Sequence, residues 1–95
     1  MIAAGSITGN ESTDWVIVKE SPIHIALDGS FGSGSIAVEQ DLQGTVSTVR
    51  DNGTEIGITA DDNSSYNFQA GDVIRLTMSG ATSPSVKYKI SGVES

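Results

Sequence analysis

Val73-Ile74-Arg75-Leu76-Thr77-Met78-Ser79 leads into Gly80-Ala81-Thr82-Ser83-Pro84, and then into Val86-Lys87-Tyr88-Lys89-Ile90. In the first segment Ile74, Leu76 and Met78 fall on one side, with Arg75 and Thr77 on the other. Successive side chains of an extended chain point to opposite faces, so this period of two predicts a strand with one buried face. The last segment repeats the pattern, with Val86, Tyr88 and Ile90 set against Lys87 and Lys89. The Gly, Ser and Pro residues between the two predict a turn.

Reading outward from this pair gives more short strands. Ile36 and Val38 point inward, with Ala37 and Glu39 outward. Ile23, Ile25 and Leu27 alternate with His24 and Ala26 after the break at Pro22. Tyr66 and Phe68 share one face of a short strand, between turns at Asp61–Ser65 and Ala70–Asp72. Residues 45–50 and 54–59 flank Asp51-Asn52-Gly53. Asn-Gly accepts the positive φ angles of a tight hairpin turn, and Ile56 and Ile58 then share a face of the returning strand. Residues 14–19 are apolar on both faces, Trp15 and Ile17 on one, Val16 and Val18 on the other. Such a strand is buried on two sides, within the domain or against a partner. About eight short strands at this spacing predict an all-β chain, a single antiparallel β-sandwich of jelly-roll or immunoglobulin-like type. No window has a helical apolar period. Residues 1–13 are small and polar, and are expected to form a flexible N-terminal arm with at most one short edge strand, leaving 14–95 as the sandwich domain.

Bulk composition agrees. Ninety-five residues suffice for one domain. Eleven glycines and a charged fraction of 18% suit turns and short strands rather than helices or disorder. The net charge of −7 opposes binding to phosphate backbones and to anionic membranes. The absence of cysteine excludes disulfides and a thiolate zinc site. No basic segment followed by an apolar run opens the chain, so folding in the cytoplasm is expected.

Motifs for chemistry are weak. His24 is the only histidine and alternation places it on an outer face, without a visible partner motif. There is no Gly-x-Ser-x-Gly elbow. Asp61, Asn63 and Ser65 fit the first ligand positions of a calcium loop, but Tyr66 stands where the turn glycine belongs, and Asp72 where the closing glutamate does. Residues 29–34 are glycine-rich yet lack a P-loop lysine and a following helix. Asn10, Asn52 and Asn63 open acceptor patterns for glycosylation that are read as compositional accidents. No catalytic residue, cofactor or metal is therefore expected, and the chain is read as one that binds or builds. Trp15 and Phe31 are the only aromatics expected to be exposed, as a sugar platform would need.

One pattern spans Gly34 to Gly92. It runs through Gly34-Ser35-Ile36-Ala37-Val38-Glu39, Gly44-Thr45-Val46, Tyr66-Asn67-Phe68, Gly71-Asp72-Val73-Ile74-Arg75 and Ser79-Gly80-Ala81-Thr82-Ser83. It resembles small β-sandwich structural proteins of tailed bacteriophages, over about two-thirds of the chain. The resemblance implies a virion component folded in the host bacterial cytoplasm. Its first form is a capsid decoration (cement) protein that binds the major capsid protein as a homo-oligomer, with a trimer favoured. The alternatives are a tail or fibre host-recognition module that binds carbohydrate, and a tail adaptor or tube subunit. The expected contacts with the capsid or with other subunits are Ile2, Ile7, Trp15, Ile17 and Phe31.

Overall fold

The computed structural model describes residues 2–51 and 54–94. Among these residues there is no helix, and the chain forms twelve strands. They are β1 (Ile2–Ile7), β2 (Val16–Val18), β3 (Ile23–Ser30), β4 (Ser35–Leu42), β5 (Thr45–Thr48), β6 (Arg50–Asp51), β7 (Thr54–Glu55), β8 (Gly57–Ile58), β9 (Asp62–Tyr66), β10 (Val73–Ser79), β11 (Ser85–Ser91) and β12 (Val93–Glu94). Every pairing is antiparallel. One sheet has the order β1-β11-β3-β9 and the other the order β12-β2-β10-β4-β5, with β8 also on β4. The chain is a β-sandwich.

The alternation read from the sequence is what fills the space between the sheets. Ile23, Ile25, Leu27, Val86 and Ile90 face inward from the first sheet. Val18, Ile36, Val38, Ile74, Leu76 and Met78 meet them from the second. Each such side chain taken fully out of water contributes roughly 1.5–3 kcal/mol. Tyr66, Phe68 and Tyr88 pack partly buried at the margins of this core. In the strand after Trp15, Val16 and Val18 are buried while Ile17 on the opposite face is 39% exposed, so within this chain the strand is buried on one side only.

The strand count exceeds the expected eight because two long segments break and because β1 and β12 add one strand each. Residues 45–50 break at Val49, which is buried and departs from the ladder. Its N–H donates to the Val38 carbonyl and its carbonyl accepts from Ile56, so β6 and β7 pair separately from β4 and β5. The hairpin turn expected at Asn52-Gly53 lies outside the described residues, while the pairs Arg50–Glu55 and Asp51–Thr54 flank it.

Two expectations are corrected. The turn expected at Asp61–Ser65 is mostly strand β9, paired with β3 from Ile23–Tyr66 to Leu27–Asp62. A strand at the sheet edge has little to bury, so it can be built from Asp, Asn and Ser. The Asp62 carboxylate accepts from the Asn63 N–H and the Ser64 hydroxyl.

The strand expected to carry Tyr66 and Phe68 ends at Tyr66, with Phe68 beyond it. The N-terminal segment lies along both sheets and contains the one short edge strand that the sequence reading allowed. β1 pairs with β11 along its length, from Ile2–Ser91 to Ile7–Val86. The Asn10 side chain then makes two hydrogen bonds to the Ala81 backbone, and Thr13 makes two with Leu76. Ser12 bridges to Thr77. These ties are made by backbone groups and short polar side chains, which hydropathy does not register.

Candidate functional site

The five residues expected to make contacts divide on their position. Ile7 is 1% exposed and Phe31 is 6% exposed, both inside this chain's own core, so neither presents a contact surface. Ile7 is the one fully inward residue of β1. Phe31 is drawn in because the glycine-rich turn folds back on residues 79–82. Gly32 there has φ +58° and lies against the Thr82 backbone, where no side chain would fit. The Gly32 carbonyl accepts from the Thr82 N–H.

Ile2, 59% exposed, and Ile17 remain at the surface. Trp15 is half-buried, with the Arg75 guanidinium 4.4 Å from its ring centre. Ile2 lines a cleft between β1 and residues 13–16, together with Ala4, Asp14 and Tyr88. Ile17 lies on the outer face of the second sheet, opposite Val73 and Glu94 in register.

That outer face is internally satisfied. Arg75 Nε donates to Glu39 Oε1 at 2.8 Å, and Thr77 Oγ1 donates to the same oxygen at 2.7 Å. The Thr77 oxygen in turn accepts from Ser12 Oγ at 2.8 Å. The Glu39 carboxyl is held below its ordinary value. The Thr77 hydrogen bond is the largest cause, the Arg75 hydrogen bond and charge act the same way, and partial burial opposes them. Hydrogen bonds to the charged form favour that form. The arrangement ties β4, β10 and the N-terminal segment together.

The outer face of the first sheet is different. Register places Ser6, Lys87 and Asp28 in one row and Ala4, Lys89, Ala26 and Asn63 in the next. Asp61 follows at the mouth of β9, and these groups line an open depression. Among the described residues, neither Lys87 nor Lys89 has an ion-pair partner. Lys89 is flanked across the strands by Ala4 and Ala26, and Lys87 by Ser6 and Asp28.

His24 lies on this face as expected. Its Nε2 is 3.2 Å from Asn63 Oδ1 and its Nδ1 is 3.3 Å from Ser65 Oγ. An amide oxygen only accepts, so Nε2–H donates to Asn63, and the serine hydroxyl can serve Nδ1 as either donor or acceptor. Hydroxyl, imidazole and amide thus stand in a row, but all three lie on an open sheet face among cross-strand neighbours. Their hydrogen bonds hold β9 to β3. The calcium-loop residues are spread along a strand: Asp61, Asn63 and Ser65 point outward, and Asp61 Oδ1 already accepts from the Gly29 N–H. Among the described residues no three acidic or histidine side chains gather to hold a metal.

The sequence reading allowed one short edge strand within residues 1–13, and the structure places it at the edge of the first sheet. β1 and β9 are its two outer strands. An edge strand exposes unpaired N–H and C=O groups, and proteins usually guard it with charges, proline or a bulge. β1 has none of these side-chain guards: its sequence is Ile-Ala-Ala-Gly-Ser-Ile, and the first charged side chain of the protein is Glu11. The signal was present as an uncharged opening segment, but only the pairing with β11 makes it an edge. No protein-family model, curated protein or solved structure matches this chain.

Proposed function

We propose that this protein is a non-catalytic structural subunit that docks on other protein subunits: a tailed-phage virion protein, acting as a capsid decoration protein on the major capsid shell. The observation that carries the assembly role is β1, a six-residue, uncharged edge strand with Ile2 59% exposed beside it. Such an edge accepts an added strand from a partner through backbone hydrogen bonds. The phage setting is supported by the resemblance running from Gly34 to Gly92. Exposed Ile17 and the half-buried Trp15 supply a second contact region on the other sheet. A ligand that binds the assembled shell and not free subunits stabilises the shell by mass action.

The test is co-sedimentation of the purified protein with expanded phage shells and, separately, with unassembled capsid protein. Binding to shells alone, with a raised shell melting temperature, is expected. Ile2→Asp should weaken it, since a carboxylate would be placed against the docked strand. A folded chain that ignores every shell would sink the decoration role. The alternative of a carbohydrate-binding tail module draws on the polar depression around Asp28, Asn63 and Lys89. Its aromatic platform is reduced, since Phe31 is buried and Arg75 covers one face of Trp15. Glycan binding abolished by Lys89→Ala would favour it.

A further inference from the structure

The two edges of the first sheet are complementary to each other. β1 is uncharged, and the strand behind it carries Lys87 and Lys89, whose ammonium groups have no ion-pair partner among the described residues. The opposite edge, β9, begins at Asp62 next to Asp61. We infer that a second copy of this chain adds head-to-tail, with β1 of one copy extending the sheet at β9 of the next.

Strand direction permits it. The sheet has four strands, all antiparallel, so its two edges run in opposite directions. A copy continuing the sheet with the same face outward therefore brings β1 against β9 in antiparallel orientation. The lengths match, six residues against five. With strands about 5 Å apart, the lysines behind the incoming β1 stand about 10 Å from β9, within the combined reach of a lysine and an aspartate side chain. With no stagger between the copies, Lys87 stands level with Asp61 of the neighbour and Lys89 level with its Asn63, across a strand bearing Ile2, Ala4 and Ser6 outward.

Charge decides against the symmetric choices. Two β9 edges would pair antiparallel, with the Asp61 and Asp62 pairs at opposite ends of the seam and the lysines of both copies on the far edges, so that no new ion pair forms. Two β1 edges would bring both lysine pairs to one seam, along with Asp14, which lines the cleft beside β1. Head-to-tail pairing leaves Asp14 as an acid near the seam but sets Lys87 against Asp61. It is a heterologous contact, which builds rings if the rotation closes and open chains if it does not.

This inference goes beyond the shell-binding reading and is tested without a shell. The molar mass of the purified chain is followed by sedimentation velocity from micromolar to millimolar concentration at low salt. Mass is expected to rise with concentration. Ala4 sits outward on β1, exposed and clear of the core. Ala4→Glu should weaken association at least about tenfold by setting an acid on the acidic β9 edge, while Ala4→Lys should retain or strengthen it. Thermal melts establish that both variants are folded. Equal loss in both variants would overturn the head-to-tail arrangement, because across a two-fold β1 seam either charge meets its own copy. A wild-type monomer at every concentration would also overturn it, and if that monomer still bound shells the docking reading would stand alone.

Discussion

On the outer face of the second sheet, Arg75 lies between the Trp15 ring and the Glu39 carboxylate, and Thr77 closes the network. On the outer face of the first, Lys89 stands between alanines and Lys87 between Ser6 and Asp28, neither with an ion pair among the described residues. Both faces are made by the same alternation. The difference is in what the polar half of each strand does. On one face it is spent within the molecule, where removing a partner leaves another group half-buried and unsatisfied. On the other it is left in water, where removing a charge costs the fold little. Internal networks mark where a sandwich is being held together, and unused charge beside an unguarded edge marks where it can meet something else.

The contrast can be broken most severely where the sheet strands approach too closely for a side chain. Gly29 has φ +143°, and a Cβ there would overlap the Ser85 carbonyl on β11. Gly29→Ala is expected to cost about 3 kcal/mol, combining a glycine-only conformation with a backbone clash, and to show as a lowered denaturation midpoint. Lys87 sits on the strand this change would push away, so the first face would lose its geometry along with its stability.

A smaller effect probes the network of the second sheet. Thr77→Val removes the strongest influence on Glu39 and should destabilise the fold by about 1–2 kcal/mol at neutral pH. The folded-state value of Glu39 is lowered from 4.5, so its contribution is fully present above that value. As pH falls the unfolded chain takes up the proton first, and the contribution is lost through the lower folded value. Denaturant melts of wild type and variant should therefore differ by a constant amount near neutrality and converge in acid. A gap that persists unchanged in acid would mean that Thr77 acts by packing alone.

Trp15→Ala should cost about 1 kcal/mol, the scale of a cation–π contact near the surface, read as a modest drop in melting temperature by circular dichroism. Lys87→Ala and Lys89→Ala should change stability by no more than about 0.5 kcal/mol, since neither lysine is tied down. A large loss in either lysine variant would erase the contrast between the faces.

Much of the core was legible because burial and extended geometry impose a period of two. Ile74, Leu76 and Met78, and Val86 and Ile90, were read inward and are inward. β9 was not legible, because an edge strand of Asp, Asn and Ser obeys no hydropathy rule and takes its form from the backbone of β3. Phe31 was misplaced for a related reason. A glycine-rich turn can aim an aromatic side chain either way, and contacts with residues 79–82 decided it. Ile7 was read as part of an arm because its neighbours are small and polar, yet it is the residue by which β1 is anchored in the core.

The sequence by itself determined the class of the fold, which side of each regular strand faces the core, and the lack of any pattern for nucleophilic or thiolate-metal chemistry. These are local properties, set by residue type and spacing. Only the tertiary structure decided that β1 and β9 are the edges of the first sheet, that Lys87 and Lys89 stand behind β1 with Asp28 beside Lys87, and that Asp61 marks the other edge. Strand order depends on pairings between residues far apart in the chain, and alternation carries the face of a strand but not the identity of its neighbour.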